Sequence, residues 1–134
     1  MSTLALAEIQ RTLYSKLQAD AVLLGMVTGI YDAVPQKTNT PYVVIGDGML
    51  REVPAEGLNL AEIEMEIDVW ADTGGRKAAL LILNRLWALL HLGTLTITGF
   101  QTISLRGDQS ETSLMEEATQ IRGRILIRAT VAEA

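Results

Sequence analysis

Cysteine is absent, so no disulfide framework holds the chain and no thiolate is available for zinc binding or nucleophilic attack. Histidine occurs once, at His91, too little for a His-centred triad or an H-E-x-x-H zinc motif. Its place near a predicted helix end is that of a favourable residue at a helix C-terminus. Only six residues are aromatic, so the core has to come from Leu, Ile, Val and Ala. The longest apolar runs, Ala21–Val27 and Ala78–Leu83, fall far short of the ~20 residues that span a bilayer, and no membrane partner is expected. Met1-Ser2-Thr3-Leu4 offers no basic n-region, and Glu8 and Arg11 interrupt any apolar run after it, so no secretory leader is expected. Basic charge is scarce. A formal charge of −5 makes a poor non-specific nucleic-acid binder, although it suits a protein past which DNA slides.

What is present describes a single domain, residues 1–134, large enough to bury roughly two-thirds of its unfolded surface. Apolar residues make up 49% and the mean hydropathy is +0.24, which implies that a partner covers some apolar surface. Leu6, Ile9, Leu13 and Leu17 recur at helical spacing and predict a first helix over about Leu4–Gln18. Asp20 is placed to cap a short turn, Ala21–Met26, which Gly29 helps close. Tyr31-Asp32-Ala33-Val34-Pro35-Gln36, the polar Lys37-Thr38-Asn39-Thr40, and Pro41-Tyr42-Val43-Val44-Ile45-Gly46 predict an extended segment, a proline-bounded loop and a β-branched strand. Asn39 is the loop residue expected in a left-handed position. The strand runs over Tyr42–Gly48 with a bulge or bend at Gly46-Asp47-Gly48, and Leu50–Leu58, with Pro54 and Gly57, reads as a mobile hairpin loop.

Further on, Asp72-Thr73-Gly74-Gly75 turns the chain, with Asp72 or Thr73 as helix cap. A long helix over about Arg76–Leu92 comes next, apolar around most of its circumference, with Gly93 at its C′ position. Such a helix is expected to be covered by both the sheet and the first helix. Leu95–Ile97 and Phe100–Leu105 follow, separated by Gly99; Gly107–Ala118 reads as an acidic loop, and Ile121–Val131 as an alternating final strand in which Leu126 is out of pattern. The fold class expected is α+β: a twisted, mainly antiparallel sheet with the N-terminal helix and the long helix packed on one face.

The clearest periodicity lies between Ala61 and Trp70. Ile63, Met65, Ile67 and Val69 alternate with Glu62, Glu64, Glu66 and Asp68, a half-buried strand with an acidic outer face. Like charges on alternate positions stand ~7 Å apart and repel unless something compensates them. Arg122, Arg124 and Arg128, on the outer face of the final strand, are the natural compensation, within one sheet or across a subunit boundary. The alternative is two solvated faces on unrelated strands. Neighbouring carboxylates such as Glu62 and Glu64 also fall within the ~5–9 Å used in glycoside hydrolysis, but a regular strand face has no pocket to raise one pKa. Asp72–Lys77 lacks the G-x-x-x-x-G-K-[ST] spacing of a phosphate loop, and no EF-hand spacing is present. Trp70 and Trp87 read as core fillers. No catalytic, cofactor or metal constellation emerges.

The ordered set of a leading helix, the Y-D-x-V-P-Q … P-Y-V … G block, a strand ending in Trp70, a Gly-introduced long helix and an Arg-rich final strand resembles the tail-completion, or tail-terminator-like, proteins of tailed phages. The resemblance covers nearly the whole chain. Its matching positions are Tyr31, Asp32, Pro35, Gln36, Pro41, Tyr42, Gly46, Trp70 and Gly75, expected as scaffold. It implies a non-enzymatic virion protein, assembled in the bacterial cytoplasm as a ring, typically sixfold, at the head-proximal end of the tail tube. The implied partners are further copies, the major tail tube protein and a head-completion or connector protein, with DNA passing through unbound. Candidate interface or lumen residues are the Glu62–Asp68 face, Arg122, Arg124 and Arg128, and Asp108, Glu111, Glu116 and Glu117. The rival readings are another head–tail connector component and a small carboxylate-dependent enzyme.

Overall fold

Two alternating strands, broken in pattern only at Leu126, form the centre of the sheet. The computed structural model describes residues 4–55, 57–72, 74–115 and 120–133. Its elements are α1 (Leu4–Gln18), α2 (Ala21–Leu24), β1 (Ile30–Tyr31), β2 (Tyr42–Ala55), β3 (Leu58–Asp72), α3 (Arg76–Leu90), β4 (Phe100–Met115) and β5 (Gln120–Glu133). The strands lie in the order β1-β2-β3-β5-β4, antiparallel except for β1 against β2. β3 and β5 pair from Leu60↔Ala132 to Asp72↔Gln120, so their inward rows bury a common layer: Ile63, Met65, Ile67 and Val69 with Ile121, Ile125, Ile127 and Val131. Each such side chain removed from water contributes ~1.5–3 kcal/mol. A truncation such as Ile67→Ala, at a site with no exposure, costs ~2–5 kcal/mol.

The helices cover one face only. α1 lies over β1 and β2, α3 over β3, β5 and β4, and α2 touches both helices. Ile9, Leu13 and Leu17 of α1 and Ala79, Ile82, Leu83, Leu86 and Leu90 of α3 complete the core, and no polar side chain is buried among the described residues. α3 was expected to be flanked by α1. Its helical neighbour is α2 instead, so Leu80 and Leu81 on its outer side remain half exposed.

Several local expectations change for identifiable reasons. Leu50–Leu58 is no loop: pairing of β2 with β3 continues through Leu50↔Ile63 and Val53↔Leu60 to Ala55↔Leu58, because a ladder already in register tolerates Pro54 near its end. The expected bulge is present, as a register shift between Ile45 and Gly48. Gly107–Met115 belongs to β4, held by the long partner β5 despite its polar composition, with irregularities after Thr102 and Gly107. Leu95 and Ile97 are buried outside any strand. The α3 N-cap is Gly75 without a side-chain bond, since Asp72 accepts from Thr40 Oγ1 instead, and Thr73 lies outside the described residues. After α3 the left-handed residue is Leu92 (φ 58°), not Gly93, and in the proline-bounded loop it is Lys37 (φ 62°), not Asn39. α2 ends sooner than expected, on Gly25.

Candidate functional site

The face of the sheet turned away from the helices carries a lattice of charge. Asp68 stands opposite Arg124 in the β3–β5 register, and Glu64 opposite Arg128. Arg124 Nε donates to Asp68 Oδ1 at 3.0 Å, and its Nη2 lies 3.3 Å from Glu66 Oε2. Arg122 reaches diagonally to Asp68 at 3.3 Å. Arg128 pairs with Glu64 and, at 3.3 Å, with Asp108 of β4, while Arg51 of β2 takes Glu62. Glu111 sits opposite Arg124 on β4. The acidic and basic rows therefore lie within bridging reach inside one copy. Glu116 and Glu117 lie outside the described residues.

The lattice is partly withdrawn from water. The Asp68 side chain keeps 14% of its exposure and that of Arg122 24%. Burial raises the Asp68 carboxyl above its ordinary range, and the hydrogen bond from Arg124 offsets only part of this. At the exposed margin Arg51 holds Glu62 below its ordinary range. The Nε atoms of Arg122 and Arg128 are buried without a hydrogen-bond partner among the described residues, each at a cost in desolvation. Because each carboxylate of the β3 row from Glu62 to Asp68 engages an arginine, none is left as a free acid–base pair.

Apolar side chains share this face. Val44, Met49 and Leu126 stand opposite Asp68, Glu64 and Glu66, and Met49 is 54% exposed. Trp70 is here too, not in the core: it has the parity of the Glu row, and the Arg122 guanidinium carbon lies 5.9 Å from its ring centroid. Sequence reasoning placed Trp70 by residue type and overlooked Met49, Leu80 and Leu81. The available signals were the parity of Trp70 and the out-of-pattern Leu126.

The other motif residues gather towards the end of the sheet where Trp70 lies. Tyr31 packs edge-on against Tyr42 at 6.0 Å, and Asp32 Oδ1 accepts from Gln10 Nε2 at 2.7 Å. Burial raises the Tyr42 hydroxyl's pKa. The Pro35 carbonyl accepts from Thr38 Oγ1 and the Pro41 carbonyl from the Thr28 amide, while Gln36 is exposed. Gly46 stands at the bulge and Gly75 at the head of α3. Two polar clasps fix the helices. Asp20 caps α2 through the Leu23 amide at 2.9 Å and takes Arg85 of α3 in a two-point bond of 2.6 and 2.9 Å, so Arg85 holds its carboxyl down at about 2. His91, the C-cap of α3, stacks on Trp87 at 4.6 Å, and its Nδ1 accepts from the Gly107 amide at 3.1 Å.

The layers differ in charge. The three helices carry five Lys and Arg against one carboxylate, Glu8, whereas the strands carry ten carboxylates against five arginines.

The family model for tail completion protein gp17 matches residues 11–132. A chain from the virion of a native gene transfer agent (GTA) particle is similar at 26% identity and a TM-score of 0.88, over 98% of this chain and 99% of that one. No curated protein matches at a significant level.

Proposed function

This chain belongs to the family of tail completion protein gp17, and from that premise we propose that a ring of its copies caps the head-proximal end of a phage-like tail tube and joins it to the head connector. The observation that carries this reading is the match over nearly the whole chain to that family, joined to full-length likeness to a virion component. Its partners on this reading are further copies, six to a ring, the major tail tube protein and a head-completion or connector protein. DNA passes through without specific binding, and no catalysis is involved.

The residues divide between two tasks. Asp108 and Glu111 on the edge strand β4, with Glu116 and Glu117 next in the chain, line the passage, where carboxylates do not hold phosphates. The Glu62–Asp68 row with Arg122, Arg124 and Arg128 forms a boundary between copies, which accounts for the apolar side chains on the same face. Tyr31, Asp32, Pro35, Gln36, Pro41, Tyr42, Gly46, Trp70 and Gly75 act as scaffold.

Deleting the gene tests the role. Tails of uncontrolled length, or tails that fail to join heads, are the expected outcome in electron micrographs. Tails of normal length with full infectivity would refute it. Glu116→Lys with Glu117→Lys should impair DNA passage or joining while thermal unfolding of the isolated protein is unchanged; unimpaired joining by this variant would contradict an acidic lining there.

A further inference from the structure

The division of charge between the layers bears on how copies meet. The helical side carries an excess of cations and the sheet side an excess of carboxylates, although the chain as a whole is at −5. Each side also exposes apolar surface. On the outer side of α3, Leu80 and Leu81 are each 50% exposed, beside Arg76 and Lys77. Those two cations stand at the N-terminus of α3, where the helix dipole disfavours them, and neither has an ion-pair partner among the described residues. On the opposite side of the molecule Met49 is 54% exposed, with Asp47 exposed two residues before it.

We infer that the outer side of α3 in one copy seats on the β2 side of the outer sheet face in the next, Leu80 and Leu81 against Met49, and Arg76 and Lys77 against Asp47. The inference deepens the ring reading and rests on it. Charge favours the pairing: sheet against sheet opposes two faces with an excess of carboxylates, and helix against helix sets cations facing cations. Arg51, two residues past Met49, is held by Glu62 of its own copy, which leaves Asp47 as the charge offered to a neighbour. Face-to-back contact brings the opposite excesses together, and such a heterologous contact closes into a ring where its rotation permits. The spacing agrees. Lys77 precedes Leu81 by one helical turn, ~6 Å along the axis, and Asp47 precedes Met49 by two strand residues, ~7 Å.

Absence of native cysteine makes disulfide trapping a clean test. Met49→Cys and Leu81→Cys in one chain lie on opposite sides of the two layers, beyond the ~7 Å between Cα atoms that a disulfide spans, so they can bond only between copies. Mild oxidation of the full chain, at concentrations where light scattering shows multimers, should give a ladder of covalent species ending in a closed ring. Neither single variant should form covalent dimers above background. Arg76→Glu with Lys77→Glu should raise the concentration needed for assembly about tenfold, and Asp47→Lys in the same chain should recover part of that loss. Multimers without a ladder, or covalent dimers from Met49→Cys alone, overturn the face-to-back contact and leave the ring standing. An unmodified chain that stays monomeric at every concentration and on tail tubes overturns the ring and this contact with it.

Discussion

Gly107 lies on the buried side of β4 under the ring of Trp87, and Gly107→Ala is the sharpest steric test of how α3 is seated. A Cβ there would stand 2.6 Å from Trp87 Cε3 and 2.8 Å from Cη2, with Cζ3 nearer still. The ring has little room to retreat, because His91 stacks on it at 4.6 Å and accepts the Gly107 amide at 3.1 Å. Overpacking of this kind costs ~1–3 kcal/mol, and loss of the His91 bond adds ~1 kcal/mol, so ~2–4 kcal/mol is expected. At ~2.1 cal/mol/K per residue, 134 residues unfold with ~280 cal/mol/K, which converts that loss to ~7–14 °C in Tm. Thermal unfolding followed by circular dichroism reads it directly. In a Trp87→Leu background the same glycine substitution should cost less than ~3 °C, since the clash is gone. A Tm unchanged by Gly107→Ala in the parent chain, or an equal loss in both backgrounds, would refute the argument.

Leu92 holds φ 58° with 77% of its surface exposed, so Leu92→Gly should stabilise by ~0.5–1 kcal/mol, seen as a higher urea midpoint; a lower one would show that its side chain packs usefully. Asp20 is lowered from 3.8 to about 2 by Arg85, so its contribution is present above ~4 and is lost as pH falls towards ~2. Acid unfolding curves of the parent and Asp20→Asn should accordingly diverge above that window and converge below it, and parallel curves would contradict the clasp. Arg124→Ala leaves the half-buried Asp68 beside Glu66 without its main partner and should cost ~2 kcal/mol in chemical denaturation. Arg51→Ala, at the exposed margin, should move Tm by less than ~2 °C; equal effects from the two arginines would mean that burial does not grade the lattice.

Periodicity made the centre of this fold legible and residue type obscured its margins. α1 ends where its apolar spacing ends, and β3 and β5 follow strict alternation with only Leu126 out of place. The same parity assigns Trp70 to the charged face, yet its chemistry argued for the core, and parity won because the ladder gives a side chain no choice of face. The distal halves of β2 and β4 were illegible for the converse reason. Their own composition is polar and broken by Pro54 or Gly107, and they are strands because long partners hold them in register. Of the candidate site, the Arg–carboxylate pairing could be read from two alternating rows. The exposed apolar residues on α3 could not, since periodicity shows that a helix is apolar all round but not which neighbour leaves one side open.

The strength of the face-to-back contact depends on how much charge the lattice leaves to a neighbour. The arginines of β5 already engage carboxylates of their own copy, so few charges on the sheet face remain for another. Exposed ion pairs are worth ~0–1 kcal/mol each, which orients an encounter more than it holds one. Leu80, Leu81 and Met49 add a small apolar contact, and together these make a weak association. A weak contact keeps dilute copies apart and lets them assemble where a tube end holds several at once, since tethering raises effective concentration without any new contact. Salt should then act on assembly and spare the fold. Raising ionic strength from ~0.05 to ~0.5 M shortens the screening length from above ~10 Å to below it, so half-assembly should need several-fold more protein while Tm stays nearly constant. Light scattering across that range measures the first quantity and thermal unfolding the second. Assembly indifferent to salt would mean that charge does not choose the faces, and the contact would have to be sought on apolar surface alone.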